Sequence, residues 1–206
     1  MTPPLATLQG RHVRLEPLTL EHAPALAAAG SGPRDTYGFT FVPDGLAATE
    51  AFIVTALGEQ EAGKSMPFAT VRLADNLVVG TTRFGNIEHW VWPEGNPQQR
   101  VVDSCEVGWT WLAADAQRSA INTEAKYLMF SHAFDGWHTH RLQLKTDERN
   151  WRSRNAIERV GAKFEGILRA VQPASDGIVR STAYFSITAE EWPAVKAALE
   201  AKLTGA

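Results

Sequence analysis

One stretch constrains this chain more than any other: a long alternating run that passes through a loop into a helical pattern and then a second strand. From Val101 to Leu112, Cys105, Val107, Trp109 and Trp111 fall on one face, while Ser104, Glu106, Gly108 and Thr110 fall on the other. That two-residue period predicts a strand. After the loop Ala113–Ile121, the residues Ala125, Leu128, Met129, His132 and Ala133 repeat at the spacing of a helix with one buried face. Asn122 is placed to cap that helix. Arg141–Thr146 follows as a strand with Leu142 and Leu144 inward. A strand, a helix and a returning strand predict a local parallel crossover.

The rest of the chain alternates in the same mixed way. Strands are expected at His12–Pro17, Pro67–Leu73, Leu77–Phe84, Ala162–Val171 and Val179–Ile187. Asp75-Asn76 and Ser175-Asp176-Gly177 supply the tight turns. Helices are expected at Leu20–Ala29, Leu46–Ala62, Trp151–Val160 and Glu190–Lys202, with Gly30, Gly63 and Gly161 at the ends of the first three. Gly85–Gln99 reads as a loop. The expected fold is mixed α/β (α+β): a twisted, mostly antiparallel central sheet of about seven strands with helices on both faces. No linker divides residues 1–206, so one domain is expected.

Composition narrows the function classes. The chain has 206 residues, 44% of them hydrophobic, and a formal net charge of −3, which fits a globular protein rather than a disordered or fibrous one. The slight acidity argues against a nucleic-acid binder that works by bulk electrostatics. Cys105 is the single cysteine, so no internal disulfide can form, and a reducing cytoplasm is the expected location. No apolar run approaches the length of a membrane span. His138 and His140 have no carboxylate or cysteine partner close in sequence, and no metal site is expected.

Four segments taken in order carry a family resemblance: EVGWTWL (Glu106–Leu112), QRSAIN (Gln117–Asn122), RLQLKTDERN (Arg141–Asn150) and ERVGAKFEGILR (Glu158–Arg169). Together they resemble the GNAT N-acetyltransferase superfamily, and within it the RimJ/RimL-like branch. The resemblance covers the whole chain and is densest from Ser104 to Ile187. It implies the three-layer GNAT fold, acetyl-CoA as cosubstrate, and direct transfer of acetyl to a primary amine in a ternary complex. The acceptor could be a protein N-terminus, an amino acid or a small amine. A homodimer is a further expectation. The competing reading is a module of the same fold that binds CoA without catalysis.

Site residues follow from the same segments. The family's phosphate loop reads Gln/Arg-x-x-Gly-x-Gly/Ala; here Gln117 and Arg118 fit, while Ala120 and Asn122 occupy the two small-residue positions. A helix N-terminus offers unpaired amides to an anion. The resemblance therefore assigns the pyrophosphate to Gln117, Arg118, Ser119, Ala120, Ile121, Asn122 and Thr123, with Arg118 adding charge. Backbone groups of Trp111 and Leu112 are expected to pair with pantetheine amides as an added strand would. Asn150 is expected to touch the pantetheine arm, to cap the helix that follows, or both. Ser153 is expected near the CoA chain or sulfur, with a general-acid role open because that helix carries no Tyr. Glu106 is the candidate general base, weighed evenly against a structural ion pair with a nearby Arg or Lys. Phe39, Trp90 and Trp92 are expected to line the acceptor pocket. Cys105, Trp109 and Trp111 are expected in the core.

Overall fold

The structure, a computed structural model, describes residues 5–205. Its sheet begins with β1 (Leu8–Gln9), β2 (Val13–Pro17), β3 (Met66–Arg72), β4 (Leu77–Glu88) and β5 (Ser104–Leu112). It continues with β6 (Arg141–Asp147), β7 (Lys163–Pro173) and β8 (Val179–Thr188). The spatial order is β1-β2-β3-β4-β5-β6-β8-β7. Every neighbouring pair is antiparallel except β5 and β6, which run parallel across the predicted crossover. The sheet has eight strands rather than about seven because the short β1 pairs back onto β2.

Helices cover both faces. On one face α1 (Ala23–Gly30) and α2 (Gly45–Glu61) bury Ala23, Leu26, Ile53 and Ala56 against Ala69 and Trp111. On the other, α3 (Ala120–Ser131), α4 (Trp151–Arg159) and α5 (Trp192–Thr204) enclose the larger core around Phe68, Phe84, Met129, Phe130 and Phe185. Burial of these large apolar side chains, each stabilising by roughly 1.5–3 kcal/mol, drives the layered arrangement. Ala125, Met129 and Ala133 of the predicted stripe are buried as expected.

Several boundaries shift for local reasons. The helix start moves: Ser119 is the cap of α3, its hydroxyl accepting the Ile121 N–H, and Asn122 lies inside the first turn. Ser119 is extended at φ −119°, the geometry a cap requires. β4 runs on to Glu88, so Gly85–Glu88 is strand rather than loop. Asn150 caps α4 by accepting the Ser153 N–H at 3.0 Å, as its sequence position predicts. A buried carboxylate that periodicity does not reveal also fixes the fold. Glu124 of α3 accepts the backbone N–H groups of Arg11, His12 and Val13 at 2.6–2.8 Å, tying the start of β2 to the helix.

Candidate active site

The central feature is a splay between β5 and β6. Their parallel ladder holds for three pairs, Ser104–Arg141, Cys105–Leu142 and Glu106–Gln143, and then stops. β5 continues to Leu112 and β6 to Asp147, each still paired on its far side, to β4 and to β8. A wedge therefore opens, lined on the β5 side by peptide groups from Val107 onward that have no ladder partner on β6. Backbone amides and carbonyls demand partners, so this edge suits an extended chain that carries amides of its own. The Leu112 carbonyl accepts from Gln117 Nε2 at 2.9 Å, so Gln117 folds back onto the strand end.

The wide end of the wedge meets the start of α3. The four leading amides of a helix, here Ala120 to Thr123, lack intrahelical acceptors. Ile121 N–H is the one that Ser119 Oγ takes. Arg118 is exposed beside them with φ +58°, and among the described residues its side chain forms no hydrogen bond. Positive helix-end potential and a free guanidinium together suit a diphosphate. Across the wedge, Asn150 and Ser153 open α4. Arg152 of the same turn donates to Gln117 Oε1 and to the Thr36 carbonyl, both at 2.7 Å, and so joins the two sides of the wedge mouth.

Glu106 stands at the apex, the last β5 residue paired to β6, and is 2% exposed. Its Oε2 accepts from Asn86 Nδ2 at 2.6 Å and pairs with Lys145 Nζ at 2.8 Å. Among the described residues Oε1 accepts no hydrogen bond, and it lies over the Cα of Gly108, where a Cβ would come within 3.1 Å. The ion pair expected under the structural reading is thus present, on one oxygen of the two.

Bulges flank Glu106 in both neighbouring positions of the sheet. In β4 the register slips between Gly85 and Glu88, and Asn86 takes φ +45°. In β5 one extra residue sits opposite the Thr81–Arg83 segment, and Trp109 takes φ +49°. Bulges re-aim side chains. The first turns Asn86 onto Glu106. The second reverses the strand's alternation, so that Trp111 and Cys105 lie on opposite faces instead of sharing one. Cys105 and Val107 face the large core, and Trp111 joins the α1–α2 cluster.

Trp109 is not a core residue. It is 37% exposed, lying across Gly85 on the same face as Glu106. A Cβ on Gly85 would come within 2.3 Å of the indole, so only glycine leaves it room. The Arg83 guanidinium covers the ring at 4.0 Å and is itself anchored by Glu59 of α2 at 2.8 Å. A bulky residue at positive φ costs about 1–3 kcal/mol and persists only where its surroundings enforce it.

The other aromatic candidates are placed differently. Trp90 N–H and Trp92 Nε1 donate to the buried Asp103 at 2.7 and 2.8 Å, and Trp90 stacks on His140 with a 6° interplanar angle. This cluster closes its own loop at the end of the sheet where β5 and β6 begin. Phe39 lies over the Arg149 guanidinium at 4.5 Å, near the wedge mouth. The sequence signal for Trp109 was its alternation with Cys105 and Val107, which the bulge defeats. Asn86 and Lys145 lay in segments read as loop and plain strand, and only the tertiary fold brings them to Glu106.

Comparison with known proteins matches this architecture. The acetyltransferase (GNAT) domain family matches residues 12–163. A GCN5-related N-acetyltransferase from Brucella melitensis superposes with a TM-score of 0.83 at 30% identity, over 98% of this chain and 87% of that one. Mycobacterium smegmatis RimJ, solved with CoA-disulfide, shares the fold with a TM-score of 0.75 at 23% identity, over 96% and 93% of the two chains. The microcin C7 self-immunity acetyltransferase MccE, solved with acetyl-CoA and AMP, shares it with a TM-score of 0.67 at 18% identity, over 87% and 93%. No curated protein matches the chain. A splayed parallel pair beside a helix N-terminus, within a sheet that superposes on an N-acetyltransferase along nearly its full length, has one family explanation: the chain belongs to the GNAT acetyltransferases and uses acetyl-CoA as its acetyl donor.

Proposed function

We propose that this protein transfers acetyl directly from acetyl-CoA to a primary amine in a ternary complex, with Glu106 as general base. The observation that carries this reading is the asymmetry of the Glu106 carboxylate: Lys145 and Asn86 occupy Oε2, and among the described residues Oε1 accepts no hydrogen bond at the apex of the wedge. An alkylammonium of pKa ~10 costs about 4 kcal/mol to deprotonate at pH 7, so a positioned base lowers the barrier. Oε1 takes the proton, directly or through one water. The amine nitrogen then bonds to the acetyl carbonyl carbon, the C–S bond breaks, and the second proton lost by the nitrogen passes to the departing thiolate, which leaves as CoA–SH; Glu106 returns the first proton to solvent.

The amides of Ala120, Asn122 and Thr123, with Arg118, would hold the diphosphate, and the free edge of β5 from Val107 would pair with the pantetheine amides. Asn150 and Ser153 would flank that arm from the β6 side. The chain acts as one domain over residues 1–206, in the cytoplasm; the buried, unpaired Cys105 agrees with a reducing compartment. No helix among the described residues is long and apolar enough to cross a membrane. Exposed Phe164, Ile167 and Leu168 on the edge strand β7 favour a homodimer.

Thiol release from acetyl-CoA across a panel of amines tests the reading, with Glu106→Gln as control. Turnover on at least one amine is expected, with a 10²–10⁴-fold loss in the variant that lessens as pH rises toward the amine pKa. CoA binding without turnover on any amine would instead support a non-catalytic CoA-binding module. An unchanged pH–rate profile in Glu106→Gln would remove the base role.

A further inference from the structure

We infer that Trp109 is a specificity-determining residue and that the acceptor is a primary amine carried on an apolar or aromatic body. This rests on the reading that the Glu106 face receives the acceptor. Gly85 pairs directly with Glu106 across β4 and β5, and the Trp109 indole lies on Gly85, so the ring stands beside the carboxylate and not behind it. Three separate features hold it there: the bulge with φ +49°, the missing side chain at Gly85, and the Arg83 guanidinium anchored on Glu59. A packing role would leave such a residue buried, yet Trp109 is 37% exposed.

The surroundings of the ring set the chemistry of its ligand. Trp109 shares a narrow gap with Leu18, Phe52, Ala56 and Pro67, and the side of the gap toward β4 is lined by Thr81, Thr82 and Arg83. Phe52 in turn meets Phe41, 62% exposed, at a ring separation of 6.4 Å. An apolar strip therefore runs from Glu106 along Trp109 and Phe52 to Phe41. At its inner end stand the polar Glu106, Asn86 and Lys145. An acceptor matching that polarity has its amine at Oε1 and an apolar body along the strip. A small polar amine would meet Glu106 but leave the strip uncovered, forfeiting the burial of apolar surface.

Trp109→Ala and Trp109→Phe test this with 2-phenylethylamine and ethanolamine at saturating acetyl-CoA. Wild type is expected to favour 2-phenylethylamine in kcat/KM. Trp109→Ala should raise KM for 2-phenylethylamine at least 10-fold more than it raises KM for ethanolamine. Trp109→Phe, which keeps a ring, should recover most of the preference; it also serves as the test protein if the alanine variant fails to fold, with Trp109→Leu as its ring-free partner. Equal changes for both amines, or none, would overturn the assignment. If wild type acetylates neither amine, the transfer reading is what fails for these probes. Calorimetric binding of 2-phenylethylamine to the CoA complex then decides the matter for Trp109: weaker binding to the ring-free variant supports the strip, and equal binding overturns it.

Discussion

Lys126 offers a stability test whose sign and size both follow from its surroundings. It lies in α3 with 6% exposure, and its ammonium donates to Thr110 Oγ1 at 2.6 Å and Thr82 Oγ1 at 3.2 Å. Among the described residues no carboxylate pairs with it. Burial without a counter-charge pushes its pKa down from 10.5 to about 7. Between those two values the unfolded chain holds a proton that the folded chain has lost, so stability rises with pH across that window. Below pH 7 both states are charged, and the folded state carries the full desolvation cost. One proton of linkage amounts to about 2.5 kcal/mol between pH 7.5 and 9.5. Lys126→Met keeps the length of the side chain and removes the charge. The two threonine hydroxyls, 2.8 Å apart, can then bond each other. The variant should be more stable than wild type at pH 7.5, with the difference shrinking by about 2.5 kcal/mol by pH 9.5. Urea unfolding followed by far-UV circular dichroism at pH 7.5, 8.5 and 9.5 measures this. Other titrations are common to both proteins and cancel in the comparison. Stability curves that run parallel with pH in the two proteins would refute the reasoning.

Two further outcomes follow from single contacts. Glu124→Ala leaves the amides of Arg11, His12 and Val13 without their acceptor, and should destabilise the fold by roughly 3 kcal/mol; a denaturation midpoint within error of wild type would contradict the anchoring role. Lys145→Met removes the group that fixes Glu106 Oε2, and should lower kcat about 10–100-fold. Its CoA affinity, measured by calorimetry, should not change. An unaltered kcat would mean that Asn86 alone orients the carboxylate.

The order of elements was legible in the sequence because each rests on a local signal. Alternation marked β5, the apolar stripe marked α3, and Asn150 and Gly161 bracketed α4. Glu106 was also legible, through its strand position and the family resemblance of the residues around it. Its partners were not. Asn86 and Lys145 come from strands 20 residues upstream and across the parallel crossover, and nothing local says which strand will lie next to which.

Trp109 shows the limit most clearly. A period of two survives only while the ladder is regular, and a single extra residue in β5 sends every later side chain to the opposite face. The sequence by itself determined a mixed sheet with one parallel crossover, a helix between its two parallel strands, and a carboxylate on the central strand. Only the tertiary structure decided where β5 and β6 part, which oxygen of Glu106 stays free, and that an indole lies beside it. Those outcomes depend on pairing register, and register is set jointly by strands that are distant in sequence and meet only on folding.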